Sequence, residues 1–174
     1  MSCPAYDTHH ALTRYPPDRY DGDPGEVTAT LRRSDHAPEL VYASVGSVHY
    51  LATGASTAGE FGLYRWEMPT GPGGPDPHFH KSISEWFFVL SGTIQLYDGS
   101  AWVDGRPGDF LFVPEGGIHG FRNESGEPAS MLIMFAPGAP REDYFETLAE
   151  LGQGRTMTDE EKREFFLRHD TFWV

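Results

Sequence analysis

The sequence predicts an all-β domain, an antiparallel sandwich or barrel, with an irregular arm before it and short helices after it. Between residues 38 and 136, short runs rich in valine, isoleucine and aromatic residues alternate with turns rich in glycine and proline. Such side chains favour pleated strands, and closely spaced strands with almost no helical period are typical of this class. We therefore expect an arm at 1–37, a β domain at 38–138 and a helical extension at 139–174.

The arm is rich in proline, aspartate, arginine and tyrosine. The segments Y-P-P-D-R-Y at 15–20 and D-G-D-P-G at 21–25 interrupt regular structure. Two interpretations stay open, a loose extension and a partly ordered arm that covers a neighbouring subunit.

Seven apolar runs in the β domain predict strands, at 45–52, 61–68, 85–90, 93–97, 109–113, 120–122 and 130–135. Between them, the dipeptides Asp98-Gly99 and Asp104-Gly105 are typical of hairpin turns. The alternation of runs and turns predicts that the strands pair in an antiparallel arrangement.

Two segments of the extension have helical character. In the segment 140–152, Tyr144, Phe145, Leu148 and Leu151 lie near one helical face. The segment 158–168 begins with Thr158, a good N-cap, and has acidic residues in its first turn. Both segments are therefore predicted to be short helices that follow the β domain.

Length and composition limit the protein to a few classes. A chain of 174 residues, 39% hydrophobic, is long enough for one domain with extensions and its own core. The net charge of −13 disfavours nonspecific binding to nucleic acid or to an anionic membrane. Cys3 is the single cysteine, which excludes an intramolecular disulfide. No signal peptide or long apolar span is apparent, so we expect a cytoplasmic protein.

Three histidines and one glutamate form the pattern with the clearest chemical meaning. His78 and His80 are two residues apart, so a strand would present both on one face. Glu85 begins a very apolar run, where a carboxylate is costly to bury unless it is paired or bound to a cation. His119 follows a proline- and glycine-rich turn. Spacing alone leaves a metal site and ordinary hydrogen-bonded histidines both open.

The same alternation suggests residues that line a pocket. If Glu85 points inward, then Phe87 and Val89 do so as well, and Phe121 follows an inward His119. Each of these aromatic and apolar residues could equally be ordinary core.

Both histidine-containing segments resemble the two motifs of the cupin superfamily. The first motif has H-x-H, four residues, Glu, six residues and Gly, while the second has Gly, five residues, Pro, x, Gly, two residues, His, three residues and Asn. Matching positions are His78, His80, Glu85, Gly92, Gly108, Pro114, Gly116, His119 and Asn123. Pro72 replaces the glycine that opens the first motif. The resemblance covers about residues 60–136, and within the superfamily the chain is most similar to small single-domain proteins of the flavonol (quercetin) dioxygenase type.

This resemblance implies a double-stranded β-helix, or jelly roll barrel, that holds one divalent transition metal on His78, His80, Glu85 and His119. Fe, Mn, Ni, Cu, Co and Zn all accept this ligand set. The resemblance also implies a homodimer. In flavonol dioxygenases, the glutamate at this motif position is both ligand and base, and this implies the same dual role for Glu85.

The leading functional hypothesis is a metal-dependent dioxygenase that acts on a small enolic or aromatic oxygenated substrate, with Glu85 as general base. One alternative is non-oxidative chemistry at the same metal, as a cyclase, isomerase or lyase. A second alternative is a ligand-binding cupin without turnover. The expected partners are a small-molecule substrate, dioxygen and a second copy of the chain.

Overall fold

A computed structural model describes residues 15–42 and 46–174. By its internal contacts the chain divides into two compact units, Met1–Leu31 and Arg32–Val174. Residues 15–31 of the first unit contain no helix or strand, and the Tyr20 hydroxyl donates a hydrogen bond to the Pro24 carbonyl at 2.9 Å. The boundary between arm and β domain at 37/38 stays a prediction, as does the boundary between β domain and helical extension at 138/139. The role of the arm also stays a prediction. Cys3 lies outside the described residues.

The described residues of the second unit, 32–42 and 46–174, form eleven strands and two helices. The strands are β1 Leu40–Tyr42, β2 Gly46–Ala52, β3 Gly62–Met68, β4 His78–Phe79, β5 Ser84–Ser91, β6 Ile94–Tyr97, β7 Trp102–Gly105, β8 Phe110–Val113, β9 Gly120–Arg122, β10 Ala129–Ala136 and β11 Phe172–Trp173. The helices are α1 Arg141–Gly152 and α2 Asp159–Arg168. None of the helices in the described part of the chain is long and apolar enough to cross a membrane.

The strands form three antiparallel sheets. A six-stranded sheet has the order β1-β2-β3-β10-β5-β8, a three-stranded sheet has the order β7-β6-β9, and β11 pairs with β4. The sheets do not close into one continuous barrel. Strand order, pairing and content confirm the predicted all-β jelly roll with short helices after it.

One hydrophobic core fills the space between the two larger sheets. Along β3, buried and half-buried residues alternate over the whole strand, as the period of two requires. Rings from the six-stranded sheet meet Phe121 of the three-stranded sheet, with centroids 5.9 Å away for Trp66 and 5.7 Å away for Phe87. Tyr64, Phe87, Val89 and Met131 are completely buried. The packing of these rings fixes how the two sheets face each other.

Both helices pack aromatic residues toward this core. In α1, the ring of Phe145 lies 5.1 Å from that of Tyr64 and 5.4 Å from that of Trp66. Phe165 of α2 stacks on Tyr144 of α1 with centroids 5.3 Å apart. Helix α2 begins at a capping box, in which Thr158 and Glu161 exchange hydrogen bonds through side chain and backbone.

The prediction for Asp104-Gly105 is wrong. Both residues lie in β7, where Asp104 pairs with Gln95 and Gly105 with Ile94 of β6. The hairpin turn lies earlier, at Asp98–Ala101, where the amide of Asp98 donates to the carbonyl of Ala101 at 3.1 Å. Gly99 has a φ of +91°, a conformation that glycine adopts without strain. Of the two dipeptides, Asp98-Gly99 therefore lies at a hairpin turn and Asp104-Gly105 does not.

Candidate metal centre

Backbone pairing brings the two motif segments together. The amides of His78 and His119 each donate to the carbonyl of the other residue, both at 2.9 Å. These two bonds join the short strand β4 to the segment that precedes β9. His80 follows β4, and Glu85 lies near the start of β5, which is paired on both sides, with Val113 and Phe135 opposite. The four predicted residues therefore come from one end of the fold.

Their side chains converge on one point. Ligand atoms of His78, His80, Glu85 and His119 all lie within 4.8 Å of one another. The Oε2 atom of Glu85 lies 3.1 Å from Nε2 of His80 and 2.8 Å from Nε2 of His119. None of the four residues is more than 4% exposed. A buried cluster of three imidazoles and one carboxylate can hold one divalent transition metal.

The outer nitrogen of each imidazole is held by a backbone carbonyl. Nδ1 of His78 lies 2.8 Å from the carbonyl oxygen of Asp76, that of His119 2.9 Å from Gly117, and that of His80 2.5 Å from Asp170. Because a carbonyl oxygen only accepts, the proton of each neutral ring lies on Nδ1. Each Nε2 then directs its lone pair toward the centre of the cluster.

This arrangement has a chemical consequence. With the ring protons on Nδ1, Nε2 of His80 and of His119 are acceptors, and each faces another acceptor, Oε2 of Glu85. Two acceptors 2.8 to 3.1 Å apart repel each other in a buried site unless a cation lies between them. That cation is a proton or a metal ion. Three converging lone pairs and a carboxylate suit a metal better than a single proton, so the residues present fit the metal.

Electrostatics within the cluster shift the pKa values of its members. Burial, helped by the neighbouring imidazole of His119, lowers the pKa of His78 to about 4, so His78 is neutral at pH 7. Burial alone would raise the pKa of Glu85, but the charge and hydrogen bonds of His119 and His80 outweigh it, and this pKa is lowered. Burial opposes the charged form of His119 as well, yet Glu85 keeps the pKa of His119 above its ordinary value. Glu85 is therefore ionised and ready to bind a cation.

The C-terminal segment completes the surroundings of the cluster. Strand β11 places Trp173 opposite His78 and Phe172 opposite Phe79. Besides the carbonyl that holds His80, Asp170 presents a carboxylate that accepts from the amides of Lys81 and Ser82 at 3.0 and 2.7 Å and from the Ser82 hydroxyl at 2.7 Å. Asp170 thus fixes both the ring of His80 and the turn that follows it.

A cavity of about 410 Å³ opens beside the cluster. His78 and Glu85 line it together with an aromatic wall made of Trp66, Phe121, Phe135, Tyr144, Phe145 and Trp173. Of the three residues suggested for a pocket, Phe121 lines this cavity. Phe87 is completely buried behind it, with its ring centroid 5.9 Å from that of His119. Val89 lies four residues along β5 from Glu85 and packs against Gly105, because inward alternation carries it toward the far end of the core.

Sequence reasoning did not identify Arg141 or Asp170. Arg141 is 4% exposed and lines the cavity, and its Nη1 donates to the His169 carbonyl at 2.8 Å. A cation at the first position of a helix opposes the helix dipole, and this mismatch was a signal in the sequence. Asp170 offered no such signal, since its partners lie 88 to 90 residues away.

Comparisons with known proteins agree with the fold. The sequence profile of the family described as Cupin domain matches residues 64–135. Quercetin 2,3-dioxygenase of Bacillus subtilis (strain 168) is 31% identical over 104 residues, which are 60% of this chain and 30% of that protein. An uncharacterized protein of Aquifex aeolicus is 34% identical over 67 residues, which are 38% of this chain and 54% of that protein. The chain thus spans about a third and about half of the lengths of these two relatives.

Solved structures share the architecture at low sequence identity. KdgF from Halomonas sp. has a TM-score of 0.54 at 18% identity, with 67% of this chain and 99% of that chain covered. A predicted oxalate decarboxylase from Thermotoga maritima has a TM-score of 0.55 at 19% identity, with 63% and 99% covered. The polyketide cyclase RemF from Streptomyces resistomycificus has a TM-score of 0.50 at 26% identity, with 62% and 78% covered. Residues 64–135 thus match a cupin domain, and the two histidine motifs and the jelly roll of the structure agree with that match.

Proposed function

We propose that this protein is a metal-dependent dioxygenase that acts on a small enolic or aromatic oxygenated substrate. The observation that carries the proposal is the convergence of three Nε2 atoms and one carboxylate at the wall of an aromatic cavity. The likeness of residues in this chain to the Bacillus subtilis quercetin 2,3-dioxygenase supports oxidative chemistry.

A divalent transition metal bound here would supply Lewis acidity toward a chelating hydroxyl and, if redox-active, a route for dioxygen to react. The residues of the chain have separate tasks. His78, His80 and His119 are held by their Nδ1 hydrogen bonds, so their Nε2 atoms are pre-oriented. Glu85 uses Oε2 toward His80 and His119, which leaves Oε1 as the atom to accept a hydroxyl proton from the substrate.

The cavity matches the proposed class of substrate in size and in surface. Pockets for small molecules are mostly apolar clefts of about 300–1,000 Å³ with a few placed polar groups. Here the polar groups are concentrated at the cluster and at Arg141, while the rest of the wall is largely aromatic. Aromatic side chains would stack on a planar substrate and exclude water from Glu85.

A second candidate is non-oxidative chemistry at the same metal, such as cyclisation of a polyketide. The likeness to RemF, at 26% identity and a TM-score of 0.50, favours it. The same Glu85 would accept a proton from an acidic carbon or hydroxyl, and no oxygen would be consumed.

The decisive experiment compares turnover with and without oxygen. Purified protein is loaded in turn with Fe, Mn, Co, Ni, Cu and Zn and incubated with quercetin, catechols and 1,3-diketones, while substrate loss and oxygen uptake are recorded together. If the protein is a dioxygenase, we expect one molecule of oxygen to be consumed for each molecule of substrate lost, and no reaction under argon. Product formed under argon would instead establish the second candidate. Metal binding without turnover of any of these substrates would favour the ligand-binding alternative.

A further inference from the structure

We propose that Arg141 is an anion-binding residue and that the ligand of the cavity carries a carboxylate. This inference deepens the proposed function, on which it rests for the identity of the cavity as a substrate site. It assigns the substrate a negatively charged end that meets Arg141 and an oxygenated end that meets the metal cluster.

Arg141 carries a positive charge that is buried and unpaired within the described residues. An arginine side chain stays cationic at neutral pH, and a buried cation is costly unless it is paired. Arg141 is only 4% exposed, yet it forms no ion pair with any carboxylate in the described residues 15–42 and 46–174. Within the same residues its Nε is buried without a hydrogen-bond partner. The bond from Nη1 to the His169 carbonyl uses one of the five N–H donors of the guanidinium.

Aromatic rings hold the guanidinium of Arg141 in place. Its Cζ lies 4.1 Å from the centroid of the Tyr144 ring, 4.9 Å from that of Phe135 and 5.6 Å from that of Phe145. These rings stabilise the cation through their faces and fix its plane. The Tyr144 hydroxyl accepts a hydrogen bond from the guanidinium. Nε has no hydrogen-bond partner within the described residues, so the Nε side of the guanidinium edge stays available to a planar anion.

The guanidinium of Arg141 lies in the same cavity as the metal cluster. Arg141 and Glu85 line the same cavity. Phe135 connects the two ends, because its ring centroid is 6.3 Å from that of His80 and 4.9 Å from Cζ of Arg141. One small molecule can therefore reach both the cluster and the guanidinium.

The chemistry of the wall favours a carboxylate over a phosphate. A guanidinium edge matches the two oxygens of a carboxylate in size and geometry. A doubly charged phosphate would require further cationic donors, and Arg141 is the single lysine or arginine among the residues that line this cavity.

The test uses two probes of equal shape, benzoate and benzamide, which differ in charge. Their binding to the full chain is measured by quenching of tryptophan fluorescence, since Trp66 and Trp173 line the cavity. Measurements are made on metal-free protein and on zinc-loaded protein. We expect benzoate to bind at least about tenfold more tightly than benzamide in both forms, because a hydrogen bond to a charged group contributes that much or more.

Variants locate the site. Arg141→Gln should weaken benzoate binding about tenfold or more and leave benzamide binding unchanged, whereas Arg141→Lys should retain part of the preference for benzoate. Arg163→Gln is the matched control, because Arg163 lies exposed on α2 and pairs with Glu160. Near-UV circular dichroism establishes that each variant is folded, and if Arg141→Gln does not fold, the wild-type probe pair and Arg141→Lys decide.

The outcomes separate this inference from the proposed function. A preference for benzoate that depends on Arg141 in metal-free protein supports the anion site even if no oxygen is ever consumed. Equal binding of the two probes, binding of neither, or full benzoate affinity in folded Arg141→Gln would overturn the anion site even if the protein proves to be a dioxygenase.

Discussion

Glu85 has two proposed roles, binding the metal and accepting a proton from the substrate. Its carboxylate is fully enclosed, faces two imidazoles and lines the cavity. A glutamine in its place keeps the volume and one carbonyl oxygen but removes the negative charge and the basic site. The two roles of Glu85 should therefore separate in one variant.

For Glu85→Gln we expect turnover to fall by about a hundredfold or more, the range of a lost general base, while metal affinity falls by about tenfold. Metal content by mass spectrometry and initial rates at saturating metal measure the two effects. Glu164→Gln, an exposed change on α2, is the control. Equal losses of metal and of turnover would contradict a separate role as base.

For individual residues, the sequence predicted correctly which side chains converge. It could do so because the spacing within the two motifs determines where their side chains point. His78 and His80 share a strand face, and Glu85 stands at the start of the next strand. The groups that orient them are backbone carbonyls, and one of these belongs to Asp170, 90 residues from His80. No local pattern specifies a contact across that separation, so the orientation of His80 required the structure.

At the scale of elements, the C-terminal segment is part of the candidate metal centre. Strand β11 adds to β4, and Asp170 joins the turn after α2 to residues 80–82. Both strands contain two residues, too few for any periodicity, and this is why sequence patterns did not predict them. For Asp104-Gly105 the sequence pattern predicted a hairpin turn, but these residues lie in a strand because they pair with β6.

We expect Asp170→Gly to weaken metal binding by about tenfold to a hundredfold, the usual effect of losing a group that orients a ligand. Glycine keeps the backbone carbonyl that faces His80 and tolerates the φ of 52° at this position, so the change removes the carboxylate alone. Competition with a chelating dye measures the affinity, and the visible spectrum of the Co(II) form reports the ligand geometry.

Gly126→Ala is the control for Asp170→Gly, because it should lower stability without altering the metal centre. Gly126 has a φ of +78° and open space around it, so alanine there strains the backbone without contacting the metal cluster. If Asp170→Gly had the cobalt spectrum and metal affinity of Gly126→Ala, Asp170 would be a stabilising residue and not a positioning one.

At the scale of the whole molecule, the outer face of the six-stranded sheet is unusually apolar. Two cross-strand rows lie side by side on β8, β5 and β10. One row contains Phe110, Phe88 and Leu132, and the other contains Phe112, Trp86 and Met134. Phe110 is 57% exposed, Phe88 40% and Phe112 38%, and contiguous apolar surface of this kind marks an interaction site.

A second copy of the chain is the occupant that this face suits best. A sheet face that ends at the edge strand β8 can meet its own copy about a two-fold axis, so that each row covers its counterpart. These six positions contain no acidic residue, so the two rows would bring no like charges together. We propose this face as the interface of the homodimer that the family resemblance implies.

We therefore expect the wild-type protein to have a mass of twice 19.4 kDa by light scattering at micromolar concentration. Phe110→Lys combined with Phe88→Ser should shift it to the monomer mass, because a buried lysine at the centre of the interface costs far more than the lost contacts. Val103→Lys is the matched control, since Val103 is 45% exposed but lies on the three-stranded sheet. A monomeric wild type would contradict the dimer. A dimer that survives the double change while Val103→Lys dissociates it would show that the interface lies elsewhere.

Because the cluster of His78, His80, Glu85 and His119 is formed within one chain, the monomeric variant should still bind metal with wild-type affinity.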